Sequence, residues 1–213
     1  MDFSPTLDTK VGVEDRNNVL RWFEEVPSLV RKFVGENIIL GIKIFNTIHG
    51  MEFQREIVKV LLHSYKKVNY IVTFNRLFDK EKGRAYGGYD LSDNNILILD
   101  ALKNEIFEAM KRRFTISATG NICSGKMMVE YALRGAMNGQ CHTFFQIPLE
   151  EYRMRKGSRT KRALHRLFFH PEEGLLIAMK WLEENGYLFR VNGILRFSNI
   201  FEHNLERGYQ NDR

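Results

Sequence analysis

The feature that most constrains the fold is an alternation of short apolar segments, rich in β-branched residues, with segments of helical spacing. Strands that alternate with helices in this way are typical of a mostly parallel sheet with helices packed on its faces. The pattern therefore predicts an α/β core domain over residues 1–148. The predicted strands are residues 38–45, 70–78, 95–99, 114–119 and 142–147, and the predicted helices are 51–66, 101–113 and 126–137.

Two further segments of the core have sequence patterns that predict their structure. Residues 16–34 have apolar side chains at helical spacing, but Pro27 lies inside the run and predicts a break or kink. Residues 78–94 are polar and rich in glycine, which favours a long surface loop or a small hairpin.

Composition excludes several classes of protein. No apolar run approaches the roughly 20 residues of a membrane helix, and the first ten residues lack a secretion-signal pattern, so we expect a cytoplasmic protein without a membrane partner. Cys123 and Cys141 form no C-x-x-C pair, and the six histidines are scattered, so no metal site is predicted. No catalytic constellation is recognisable, and we expect neither a catalytic residue nor a required cofactor.

The positive charge is concentrated in one segment. Seven basic residues and no acidic ones lie between positions 153 and 166, whereas the whole chain has a net charge of +6. Such a segment is typical of a surface that contacts the phosphates of nucleic acid, although a solvated helix face remains open as an alternative. The seven residues, called the basic segment below, are Arg153, Arg155, Lys156, Arg159, Lys161, Arg162 and Arg166.

A helix and a tight hairpin are predicted to follow the basic segment. Residues 172–185 have a helical apolar face, and Gly186 follows at the position that favours a left-handed cap. Asn192 and Gly193 then separate two β-rich runs, 187–191 and 194–198, which is the usual signal of a two-residue hairpin turn.

The order of helix, glycine cap and hairpin in WLEENGYLFRVNGILRFS resembles the end of a winged-helix domain, over about residues 150–200. The resemblance implies a small module over 149–213, with the helix in a DNA groove and the wing residues Arg190 and Arg196 on phosphates. The helix departs from the pattern because it begins with Gly174, Leu175 and Leu176. Its apolar face, residues 175–182, therefore leaves open a role in binding a protein partner or a second copy of the chain.

A second candidate site is the sequence GNICSGK, which matches the phosphate-loop pattern G-x-x-x-x-G-K at Gly120, Gly125 and Lys126. A predicted strand precedes it and a predicted helix follows, as the motif requires. Met127 stands where a magnesium-binding hydroxyl is expected, which disfavours metal-dependent hydrolysis. Binding of ATP or GTP at this loop is the alternative that the motif leaves open.

Taken in the usual chain order, the core instead resembles a degenerate P-loop NTPase. The resemblance would make residues 38–45 the first strand, 46–50 a phosphate loop without its lysine, Asp100 the acid of the metal strand, and 115–121 a sensor strand. It implies that hydrolysis has been lost. An α/β sheet with no nucleotide site at all explains the same residues.

The combined interpretation is a nucleic-acid-binding protein with a non-hydrolysing α/β core, whose basic segment and wing contact phosphates. A nucleotide-binding protein, or a regulator that binds a protein through its C-terminal helix, are the alternatives.

Overall fold

The computed structural model describes residues 13–47, 49–64, 66–79, 84–87 and 90–211. The chain divides into two units, Met1–Gly120 and Asn121–Arg213. The boundary expected at residue 148 lies inside the second unit, so a separate fold for residues 149–213 stays a prediction.

The first unit is built on parallel strands, as the alternating pattern predicts. The strand β2 (Tyr70–Thr73) pairs in parallel with β1 (Gly41–Lys43) on one side and β5 (Thr115–Thr119) on the other, with Ile42 opposite Ile71 and Ile71 opposite Ile116. These three isoleucines are fully buried. The α/β class with a mostly parallel sheet and flanking helices is therefore confirmed. The elements are α1 (Val13–Val34), β1 (Gly41–Lys43), α2 (Met51–His63), β2 (Tyr70–Thr73), β3 (Leu77–Asp79), β4 (Arg84–Tyr86), α3 (Leu91–Asp100), α4 (Lys103–Lys111) and β5 (Thr115–Thr119).

The strand predicted at residues 95–99 is wrong, because these residues belong to α3. Its buried residues Leu91, Asn95 and Ile98 recur at helical spacing, whereas Leu97 is 54% exposed. The run of isoleucine and leucine thus covers one side of a helix. Asp100 is the last residue of this helix, and its assignment to a nucleotide site stays a prediction.

Other differences concern single segments of the first unit. α1 continues through Pro27 without a break, and its residues Val19 and Phe23 are buried. A proline removes only one hydrogen bond of a helix, and the burial of Val19 and Phe23, both of which precede Pro27, stabilises the helix on that side. The polar, glycine-rich region contains the antiparallel pair β3 and β4, so the small hairpin is the form found, and residues 80–83, 88 and 89 lie outside the described residues.

The second unit is mainly helical. Leu175, Met179 and Leu182 pack in a buried cluster with Val129 of helix α5 (Gly125–Ala132) and Ile200 of helix α8 (Ile200–Asn211). Gly125 lies so close to Gly174 and Leu175 that a Cβ atom there would overlap their backbone atoms. The elements are α5 (Gly125–Ala132), β6 (Ala136–Gln140), α6 (Arg159–Phe169), α7 (Leu175–Glu184) and α8 (Ile200–Asn211), with short 3₁₀ turns at Thr143–Phe145, Leu149–Glu151 and Phe197–Asn199.

The strand expected at residues 142–147 is also wrong, because Thr143–Phe145 forms a 3₁₀ turn and the strand of this region is β6. Phe144 is buried beside Tyr152, Ala163 and Leu167 in a second apolar cluster. The apolar residues that suggested a strand therefore anchor a turn to α6.

The turn at Asn192 and Gly193 is confirmed, with φ angles of 53° and 77° and two hydrogen bonds between Val191 and Ile194. Pairing does not extend beyond this single bridge. Leu188 is buried in the α5–α7–α8 cluster, and Leu195 packs against it, so the flanking residues contact helices instead of each other.

No helix within the described ranges combines the length and the apolar character that crossing a membrane requires.

Candidate nucleic-acid interface

The basic segment lies on the surface of the second unit. Arg153, Arg155 and Lys156 belong to the loop before α6, and the other four members lie on α6 itself. Ser158 caps this helix by accepting a hydrogen bond from the backbone N–H of Lys161. Because Ala163 and Leu167 occupy the buried side of α6, its basic side chains are directed towards solvent.

Four arginines of the segment bind the backbone around residues 147–157. Their guanidinium groups donate hydrogen bonds to carbonyl oxygens that precede α6 in the chain. The contacts are Arg155 to Glu150 (3.3 Å), Arg159 to Ile147, Arg162 to Leu149 (3.3 Å) and Gly157 (3.0 Å), and Arg166 to Glu151 (3.2 Å). The arginines therefore hold the loop against the helix.

These contacts leave the positive charge of the segment in place, because a carbonyl oxygen carries no net charge. Within the described part of the chain, Arg166 is the one member with a carboxylate in ion-pair range, Glu173 at 3.8 Å. Arg153, Lys156 and Lys161 are exposed and have no hydrogen-bond or ion-pair partner among the residues described. Each guanidinium also has five N–H donors, so the bound arginines retain donors for a further acceptor.

The two predicted wing residues differ in their surroundings. Arg190 donates to both carboxylate oxygens of Glu183, at 2.5 and 3.3 Å, and to the carbonyl of Gly193 at 3.0 Å. The hydrogen bonds that Glu183 accepts lower its pKa to about 2, with the largest contribution from Arg190 and the next from Lys180. Arg196 is exposed and has no ion pair in the described structure. Arg196 is therefore the more available of the two for a phosphate.

The predicted phosphate loop has the expected strand before it and helix after it, β5 and α5. However, the N–H groups at the start of α5 already have protein acceptors. The N–H of Lys126 donates to the carbonyl of Glu173 at 3.0 Å, and that of Met127 donates to the hydroxyl of Ser124 at 3.1 Å. A phosphate bound here would have to displace these acceptors, so the geometry does not favour the nucleotide alternative, which stays a prediction.

The segment suggested as a degenerate phosphate loop is residues 46–50, of which residue 48 lies outside the described residues, and Thr47 of this segment is bound to the helix that follows. The buried side chain of Gln54 accepts a hydrogen bond from the N–H of Thr47 at 2.7 Å and donates one to the carbonyl of Phe45 at 3.1 Å. The amide of Thr47 is thus occupied by a side chain of α2.

The apolar face of α7 is divided between core and surface. Leu175, Met179 and Leu182 are buried, whereas Leu176 and Trp181 are 53% and 56% exposed. The face predicted for protein contact is therefore largely core. Trp181 was not identified from the sequence, where a tryptophan on an apolar helix usually indicates a core residue.

No protein-family model matches this chain, and a search of curated proteins found no significant match.

Proposed function

We propose that this protein binds nucleic acid through the basic segment, with Arg196 as an additional phosphate contact. The observation that carries the proposal is that seven cationic side chains share a short surface whose contacts are mainly to uncharged carbonyl groups. Such a surface attracts a polyanion and releases the counterions condensed on it. A winged-helix-like arrangement of α7 and the turn at Asn192 would place Arg196 on the phosphate backbone.

The arginines bound to carbonyls support the proposal in a second way. A flexible cationic loop loses conformational entropy when it binds, whereas a loop already held by hydrogen bonds loses less. The guanidinium groups of Arg159 and Arg162 therefore present their remaining donors from a preorganised position. We expect contacts with phosphates rather than base edges, and so little sequence preference.

The test replaces the three members that have no partner, as the triple variant Arg153→Gln, Lys156→Gln and Lys161→Gln. Because these exposed side chains have no hydrogen-bond or ion-pair partner in the described structure, the variant should fold as the wild type does. Losing three phosphate contacts should reduce the slope of log affinity against log salt by roughly 2 to 3. Fluorescence anisotropy of labelled single-stranded and duplex oligonucleotides across a salt series measures this slope.

The matched control removes the same charge from one exposed arginine and two exposed lysines of the first unit, as Lys32→Gln, Lys66→Gln and Arg113→Gln. If nucleic acid contacts the basic segment, the control should keep most of the wild-type slope. Equal slopes and affinities for the wild type and the basic-segment variant would refute the proposal.

A further inference from the structure

Three side chains of the second unit form a continuous stack. The rings of Trp181 and Tyr187 are nearly parallel, with an interplanar angle of 12° and centroids 5.9 Å apart. The guanidinium carbon of Arg207 lies 3.8 Å from the centroid of the Tyr187 ring. Aromatic pairs and cation–π contacts both fix ring orientation, so the indole of Trp181 is held in place while 56% of its surface stays exposed.

Trp181 also lines a groove between α5 and α7, with a volume of about 370 Å³. Val129, Leu133 and Leu182 supply apolar surface to this groove, and Tyr187 does not line it. Lys126 lies in the same groove, is exposed, and has no hydrogen-bond or ion-pair partner for its ammonium group in the described ranges. A flat aromatic surface and an available cation therefore occur together.

The size of the groove argues for a small planar occupant. A stable protein interface buries roughly 800 Å² on each partner, which the few half-exposed apolar side chains of α7 do not supply. A volume of 370 Å³ is instead in the range of sites for a single small-molecule-sized group. One nucleobase with its sugar is a group of this kind.

The charges that line the groove cancel, which suits an uncharged ring inside it. Glu130 is paired with Arg134 at 2.8 Å, which leaves one carboxylate, Glu172, and one ammonium group, Lys126, as the lining charges without an ion pair in the described structure. The basic segment lies near the start of α7, because Arg166 is 3.8 Å from Glu173, a residue just before this helix. Glu172, which lines the groove, is the neighbour of Glu173 in the chain. A strand held by the basic segment would thus pass close to the groove.

We propose that Trp181 stacks an unpaired base of single-stranded nucleic acid and that Lys126 contacts the adjacent phosphate. This inference rests on the proposed function and adds a preference for strands with unpaired bases. Stacking on an aromatic side chain tolerates any base sequence because every base has a π face.

The experiment uses full-length protein carrying Trp22→Phe, which leaves Trp181 as the only tryptophan because the chain has two. Short labelled oligonucleotides are compared in three forms: a thymidine strand, an abasic strand of the same length, and a duplex. Binding is followed by anisotropy of the label and by the fluorescence of Trp181. The variants are Trp181→Ala, Trp181→Phe as a conservative replacement, and Phe189→Ala, which removes another aromatic side chain that is 53% exposed.

The thymidine strand should quench Trp181, and Trp181→Ala should weaken its binding by roughly 5- to 150-fold, the range for one stacked base. Trp181→Phe should retain most of the affinity, Phe189→Ala should bind as the wild type does, and the abasic strand should bind equally to wild type and Trp181→Ala. Tight binding of the thymidine strand without quenching, or with unchanged affinity in Trp181→Ala, would overturn the stacking proposal alone.

Two other outcomes have different meanings. If none of the oligonucleotides binds even at low salt, the proposed function fails and the stacking site fails with it. If the protein self-associates and Trp181→Ala abolishes this association, the groove belongs to a second copy of the chain and the base-stacking assignment is overturned.

Discussion

Gly125 gives a direct test of the packing that separates the phosphate-loop interpretation from a structural one. In a phosphate loop, glycine lets the backbone approach the ligand, whereas here Gly125 lets α5 approach the backbone of Leu175. The variant Gly125→Ala adds one methyl group at this contact. Its effect on the free energy of unfolding depends on which role is correct.

Two opposing contributions determine how much Gly125→Ala changes the free energy of unfolding. Alanine is the better helix former by about 1 kcal/mol, and Gly125 does not have a positive φ, so an unobstructed Gly125→Ala would stabilise α5. Overpacking costs about 1–3 kcal/mol, and the upper end applies because the obstructing atoms are backbone rather than a flexible side chain. The expected net effect is a loss of about 2 kcal/mol.

Urea denaturation followed by circular dichroism measures this loss, and thermal unfolding should show a decrease of about 4–8 °C for a chain of this size. The stability control is Lys126→Ala, which replaces the next residue along the chain. Because Lys126 is exposed, this variant should have nearly the free energy of unfolding of the wild type. If Gly125→Ala is as stable as the wild type or more stable, the close approach of α5 and Leu175 is wrong.

Two further predictions concern titrating groups. Arg190 and Lys180 lower the pKa of Glu183 from 4.5 to about 2, so the stabilisation by this carboxylate should be complete above pH 4.5 and decrease as the pH falls towards 2. Comparison of the unfolding free energies of wild type and Glu183→Gln across this range should show a difference that shrinks on acidification, and a pH-independent difference would contradict the assignment. Burial, with a smaller contribution from Cys123, raises the pKa of Cys141 from 9.0 to about 11, so at pH 8 its thiolate should be roughly 100-fold rarer than that of an unburied thiol. In a Cys123→Ser background, iodoacetamide should therefore modify Cys141 slowly in the folded protein and rapidly in denaturant, and equal rates in the two states would show that the thiol is not shielded.

The parts of the fold that depend on local chemistry could be predicted from the sequence. The turn at Asn192 and Gly193 requires two residues with positive φ, which few residue pairs other than Asn-Gly provide at low cost. The helix α2 and the strand β5 have the length and the spacing expected of their classes. The misassigned α3 shows the limit, because a short run of isoleucine and leucine suits a buried strand or one side of a helix equally well.

The sequence predicts where in the chain the candidate site lies, but it does not predict which contacts its side chains make. The charges of the basic segment are visible in the sequence, whereas the pairing of Arg190 with Glu183 depends on how the chain returns after α7. The contact between Arg162 and the carbonyl of Leu149 joins residues that no local pattern relates. The stack of Trp181 on Tyr187 likewise requires the turn after α7 to bring the two rings together.

The hydrogen bonds from α6 to the preceding loop also bear on proteolysis. Trypsin cleaves after arginine or lysine and needs several residues of extended chain around the cleaved bond, and Arg153, Arg155 and Lys156 lie in this loop. Cleavage there requires local opening that breaks the contacts of Arg159 and Arg162 with backbone carbonyls. The most basic stretch of the chain is therefore held by its own arginines in a form that resists the protease best suited to its sequence.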